Sequence, residues 1–133
     1  MRTTSTFTVA SFEPTEVLGE VATASAVGVS RMVKEFTGGL TGRSTTLFTA
    51  AFDHASGVGT YLAMESFEGT LDGRSGSVNI AHTATTDGGP ERLHELVLIV
   101  PGSGTGELAG ITGTGALRID EDGTHHLELE YAL

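Results

Sequence analysis

The sequence predicts an all-β fold of eight antiparallel strands, most simply an up-and-down barrel. Three observations predict it. The chain has 19 Gly and 20 Thr but one Lys in 133 residues. Thr favours the pleated strand, and Gly at about twice its usual ~7% breaks helices and supplies turns. Polar and apolar residues alternate with period 2 over most of the chain, as half-buried strands require. Short turn signals of the Asp-Gly kind recur between those runs, which is the pattern of hairpins in a meander.

Each element can be justified in order. Thr3–Phe12 alternates, with Phe7 and Val9 on one face and Thr4, Thr6 and Thr8 on the other. Glu13–Ala26 is expected to be a loop, with one helical turn after Pro14, because Gly19 and the Ala/Ser/Thr run that follows support no longer helix. Val27–Phe36, Arg43–Asp53, Thr60–Leu71 and Arg74–Thr86 read as strands. They are divided by Gly38-Gly39, His54-Ala-Ser-Gly57 and Asp72-Gly73, and the last is a strong hairpin signal because both residues tolerate positive φ. Arg92–Val100 is a nearly continuous apolar strand that wants cover on both faces, and Pro101 ends it. Thr114–Asp120 and Thr124–Leu133 close the chain as a hairpin over Asp122-Gly123. Eight strands can close on themselves and so remove the unpaired sheet edges, leaving an interior filled by side chains or by one small ligand. A two-sheet sandwich is the alternative.

One device recurs. Phe36-Thr-Gly-Gly-Leu-Thr-Gly-Arg-Ser44 matches Phe67-Glu-Gly-Thr-Leu-Asp-Gly-Arg-Ser75 at an offset of 31 residues, and Gly110-Ile-Thr-Gly113 is a looser third copy. Each copy reads as an apolar anchor (Leu40, Leu71, Ile111) beside a Gly turn. The spacing is not constant, so this is a repeated hairpin and not a solenoid.

Charge and composition exclude several functions. Seven basic against seventeen acidic residues give a net charge of −10, and the basic residues are scattered. Nucleic acid and anionic membranes are therefore not expected partners. There is no Cys, which excludes disulfides, thiolate nucleophiles and thiolate metal sites. No apolar run approaches a membrane helix, and the first residues lack the apolar core of a signal peptide, so a soluble cytoplasmic protein is expected.

The block Glu65-Ser-Phe-Glu-Gly-Thr-Leu-Asp-Gly-Arg-Ser-Gly-Ser-Val78, with His82 beyond it, is similar to the bacterial family known as domain of unknown function 3224. So are Pro101-Gly-Ser-Gly-Thr-Gly-Glu-Leu-Ala-Gly-Ile-Thr-Gly113 and the closing Leu129-Glu-Tyr-Ala-Leu133. The resemblance implies a barrel akin to allene oxide cyclase and the dirigent proteins. Members of that wider group bind hydrophobic small molecules in the lumen, and some steer cyclisations. For the closer family it implies no general activity, and only the Gly-rich hairpin matches, so no cyclase carboxylate carries over.

The residues themselves offer two polar candidates. Glu65 shares a face with Tyr61, Ala63 and Phe67, which puts a carboxylate among aromatics. Such a group is either paired or shifted in pKa, and in the second case can act as general acid or base. His82 shares a face with Val78, Ile80 and Ala84. The Asp72-Gly73 hairpin makes its strand the neighbour of the Glu65 strand, so a Glu65–His82 pair is expected to be in reach. The bland alternative for both is a satisfied core residue. Tyr61, Phe67, Phe48, Phe52 and Tyr131 would wall the lumen, with His125 facing it and His126 outside. Arg31, if its parity is the inward one, is the natural partner of Glu65.

Weaker signals carry less. The Gly102–Gly110 cluster has no following helix and no Lys for a phosphate site. Asp120-Glu-Asp-Gly123 lacks the spacing of a calcium loop, and Pro101-Gly-Ser-Gly-Thr105 is not a nucleophile elbow. Zinc on His82, His125 and Glu65 is conceivable but has no local motif, so no metal and no cofactor is expected. Leu47, Leu62 and Met64 fall on the outer face and suggest a covered surface, as in a homo-oligomer. The expected function is a barrel that holds a hydrophobic metabolite, with or without a cofactor-free cyclisation or isomerisation by Glu65 and His82. A carrier or sensor, or a barrel with a filled core, are the alternatives.

Overall fold

The computed structural model describes all 133 residues. Eight strands follow one another: β1 (Arg2–Leu18), β2 (Val27–Gly38), β3 (Leu40–Asp53), β4 (Val58–Leu71), β5 (Arg74–Asp87), β6 (Leu93–Ile99), β7 (Thr112–Ile119) and β8 (His125–Ala132). Each pairs antiparallel with its neighbours in sequence, and β8 returns to β1, so the sheet is a closed barrel. The alternation expected from the sequence is plain in β4, where Tyr61, Ala63, Glu65 and Phe67 are buried and Leu62, Met64, Ser66 and Glu68 are exposed.

The largest difference from expectation is the segment after Phe12. It is neither loop nor helical turn, because β1 runs on to Leu18 and pairs Glu13 with Arg31 and Pro14 with Ser30. Thr15 Oγ1 also donates to the Val29 carbonyl at 2.7 Å. β8 pairs with β1 only from Arg2 to Phe7. Beyond that point β1 has one open edge, and an edge strand can carry a proline. A bulge at Ala10 shifts the register between Val9 and Ser11. One extra residue exchanges the two faces, so Phe7 and Phe12, of opposite parity, both face inward: Phe7 lies opposite Phe36 and Phe12 opposite Met32, and Phe12 lines the lumen.

Connections alternate between the two ends of the barrel. At one end lie the β2–β3, β4–β5 and β6–β7 connections, which are the three copies of the repeated Gly device. The register sets Leu40 opposite Leu71 and Gly42 opposite Gly69. Leu40, Leu71, Leu108 and Ile111 are all essentially inaccessible and belong to one apolar cluster with Phe36 and Phe67. Asp72 ties this end together, accepting from Thr3 Oγ1 at 2.8 Å and from the Tyr131 hydroxyl at 2.6 Å.

The Gly-rich stretch after Pro101 explains its own composition. β6 pairs with β5 only from Ile80 onward, so the edge of Ser75–Asn79 would be bare. The Ser103–Glu107 loop covers it: Thr105 N donates to Ser77 O, Ser77 N to Thr105 Oγ1, and Asn79 N to Ser103 Oγ. Gly76 sits against the Thr105 backbone where any Cβ would collide. A short 3-10 turn, Gly106–Leu108, then drops Leu108 into the core.

Candidate functional site

Side-chain size along the inner wall divides the barrel into three levels. At the closed end the inward positions are large: Phe36, Phe67, Val78, Ile80 and Ile99. At the waist they are polar: Lys34, Ser44, Thr46, Glu65 and His82. Towards the other end many are small, as Ser30, Gly28, Ala50, Ala63 and Ala84 are, and the aromatic ones are Phe12, Phe48, Phe52 and Tyr61. Small residues leave space, and that end holds an open cavity of about 630 Å³.

At the waist, Lys34 faces Ser44 across β2–β3, and Thr46 faces Glu65 across β3–β4. Lys34 Nζ lies 3.3 Å from Glu65 Oε1 and 4.6 Å from the centre of the Phe7 ring. Ser44 Oγ donates to the other Glu65 oxygen. This corrects the expected partner. Arg31 is exposed, because inward positions of β2 are the even ones, and Lys34 takes the carboxylate instead. The expected Glu65–His82 contact is not made either, since the register sets Glu65 against Ile80 and His82 against Ala63. Glu65 and His82 border one void of only about 10 Å³ among core side chains, room for roughly one water. Glu65 is thus a packed, paired carboxylate outside the cavity lining.

His82 belongs to a second chain of contacts. Its Nε2 is 3.3 Å from Glu95 Oε2, and the Tyr61 hydroxyl is 3.3–3.4 Å from its two ring nitrogens. Arg92 Nε donates to the same hydroxyl at 3.2 Å. Burial holds the imidazole below its ordinary pKa and outweighs the opposing pull of Glu95, so it is neutral at pH 7. One order of donors then satisfies every contact: Arg92 N–H to Tyr61 O, Tyr61 O–H to His82 Nδ1, and His82 Nε2–H to Glu95. Glu95 is fixed in turn by the Leu117 N–H at 3.1 Å. Burial also pushes the Tyr61 phenol up, so it keeps its proton.

Tyr61 joins the waist to the cavity. Its ring stacks on Phe48 at 4.6 Å, and Phe12 packs edge-on to Phe48 at 5.7 Å. Phe12, Phe48, Phe52 and Tyr61 are the aromatic walls, and Leu18, His54, Gly57, Gly88 and Arg92 bring in the connections at this end. Of the expected wall residues, Phe67 and Tyr131 are not there, because both are buried in the closed end. His125 does not reach the cavity; its ring lies 5.1 Å from Phe7, and burial lowers its pKa. His126 binds Asp120 at 2.6 Å. No group of His, Asp and Glu is arranged to hold a metal ion.

Sequence reasoning missed Lys34, Glu95, Phe12 and Arg92. Lys34 is the chain's one lysine and lies on an apolar parity, which was a usable signal. Arg92 is the only basic residue, histidines aside, between Arg74 and Arg118. Phe12 was hidden by the bulge, which has no signature in this sequence.

The family model for a protein of unknown function, DUF3224, matches residues 3–131. The chain belongs to the DUF3224 family. A crystal structure of a DUF3224 protein of unknown function from Shewanella oneidensis is similar to it over 100% of this chain and 97% of that one, with 30% identity and a TM-score of 0.86. No curated protein matches. No helix is long and apolar enough to cross a membrane.

Proposed function

We propose that this DUF3224 barrel binds a hydrophobic small molecule in the open-end cavity. The observation that carries the reading is the contrast within one lumen. Closed end and waist are packed, yet about 630 Å³ walled by four aromatic rings stays open. That volume and lining, apolar with a few convergent polar groups, are those of a ligand pocket. The test is a titration with the uncharged fluorophore N-phenyl-1-naphthylamine, alongside native mass spectrometry of protein from its own host. Saturable binding that Ala50→Trp removes, with the circular dichroism and melting of the variant unchanged, is the expected result. Equal signal from both proteins would end the reading and leave a barrel with a merely structural interior.

The Arg92–Tyr61–His82–Glu95 chain favours a second reading on the same cavity, a cofactor-free isomerase or cyclase. Tyr61 would take a proton from one atom of the bound molecule as its own hydroxyl proton passes to His82 Nδ1, with Glu95 stabilising the imidazolium; Tyr61 then gives a proton to a second substrate atom and recovers its own from His82, so none is gained or lost. Tyr61→Phe keeps the wall and removes the proton. A carrier or sensor loses no more than a few-fold in affinity with that change. An enzyme loses turnover of the co-purifying metabolite by about 100-fold or more.

A further inference from the structure

We infer that the ligand of this cavity is an amphipathic organic acid, its carboxylate held by Arg92 and its apolar body by Phe12, Phe48 and Phe52. The inference rests on the cavity reading above. The chain carries seventeen acidic residues, yet none of the nineteen residues that line the cavity is Asp or Glu. The charged or chargeable groups among them, the phenol of Tyr61 aside, are Arg92 and His54.

The guanidinium of Arg92 is half-buried and makes no ion pair. Its one side-chain partner is the neutral Tyr61 hydroxyl, which takes only Nε–H. No protein group accepts from its terminal N–H groups, and the residue lines the cavity. The other interior cation shows the contrast. Lys34 has Glu65 at 3.3 Å. Glu95 does not serve Arg92: its oxygens take Leu117 N–H and His82, and no ion pair joins it to the guanidinium.

A cation taken partly out of water without a counterion is costly, and an incoming anion repays that cost. Guanidinium N–H groups meet a carboxylate in a two-pronged geometry that few other groups match. Tyr61 holds the fork in place beforehand, so little orientational freedom is lost on binding. Ring stacking on the other walls suits a flat or branched hydrocarbon body.

The experiment compares decanoate with decanol as displacers of bound N-phenyl-1-naphthylamine at pH 7.5, on the wild-type protein and on Arg92→Met. Decanoate should displace the probe at about tenfold lower concentration than decanol, as one charge-assisted hydrogen-bond pair predicts. Arg92→Met should erase that preference while the neutral probe still binds. Equal potency of acid and alcohol on the wild type overturns the proposal and leaves the cavity reading standing. A preference that survives Arg92→Met overturns the assignment to Arg92. Failure of the neutral probe to bind the wild type removes the cavity reading and this proposal with it.

Discussion

Glu65 shows how a single buried carboxylate behaves once its partners are known. Its two oxygens are taken by Lys34 and Ser44, so Glu65→Gln leaves the Lys34 ammonium buried without a counterion. That change should cost about 3–5 kcal/mol in urea unfolding, whereas Lys34→Met with Glu65→Leu should come out near neutral. A double variant as unstable as the single one would mean that the pair itself holds the fold. Thr46 makes the opposite case. Its hydroxyl is buried without a partner, so Thr46→Val should be neutral or stabilise by about 1 kcal/mol in the same assay. His82 gives a pH dependence. Burial lowers its pKa from 6.5 in the folded protein, so the unfolded chain takes up that proton first as pH falls. The stability it contributes is complete above about pH 7 and is lost as pH drops below 6.5 towards the folded value. His125 acts in the same direction. Melting curves from pH 7.5 to 5 should fall, and His82→Gln should flatten the slope; an unchanged slope would assign it to other groups.

Between elements, the pairing is uneven. β3–β4 and β4–β5 are matched along fourteen residues each, but β6 and β7 meet only at Val97–Gly115, Leu98–Thr114 and Ile99–Gly113. A seam with so few bonds should open first. Amide exchange of β7 is expected to outpace that of β4, and uniform protection around the barrel would contradict this. The loop between β6 and β7 makes up for the short seam by seating Leu108 and Ile111 in the core. Leu108→Ala should therefore cost about 2–5 kcal/mol although it lies in a connection. Strand order and the inward faces of β4 and β5 were legible in the sequence because period 2 is a local signal, and the Asp72-Gly73 turn made those two strands neighbours. The extension of β1 was not legible. Pro14 is a local breaker, and only the distant β2 overrides it. The Glu65 partner was ambiguous for a related reason: parity separates Lys34 from Arg31 but does not say which set is inside. The cavity was half-legible. Tyr61, Phe48 and Phe52 follow from alternation, while Phe67 and Tyr131 share that alternation and differ only in height along the axis, which alternation does not encode.

For the whole molecule, the outer wall carries an apolar, uncharged stripe. Leu47, Leu62, Met64 and Leu96 are each about half exposed or more, and the register sets Leu47 beside Met64 and Leu96 beside Thr83. On a chain of net charge −10, such a face is where two copies can meet without repulsion. We predict self-association through it. Sedimentation at tens of micromolar should give a species larger than 13.7 kDa, and Leu62→Glu should return the monomer. A monomeric wild type would refute this face as a contact between copies. The alternation of connections between ends has a further consequence, for descent. Three echoed hairpins build the floor, and any change there must be answered by its neighbours. Rim connections such as Gly19–Ala26 and Gly88–Glu91 carry no such repeat and seat no residue in the packed core. A lineage with this plan can therefore exchange its rim, and with it the mouth of the cavity, while inheriting the floor intact.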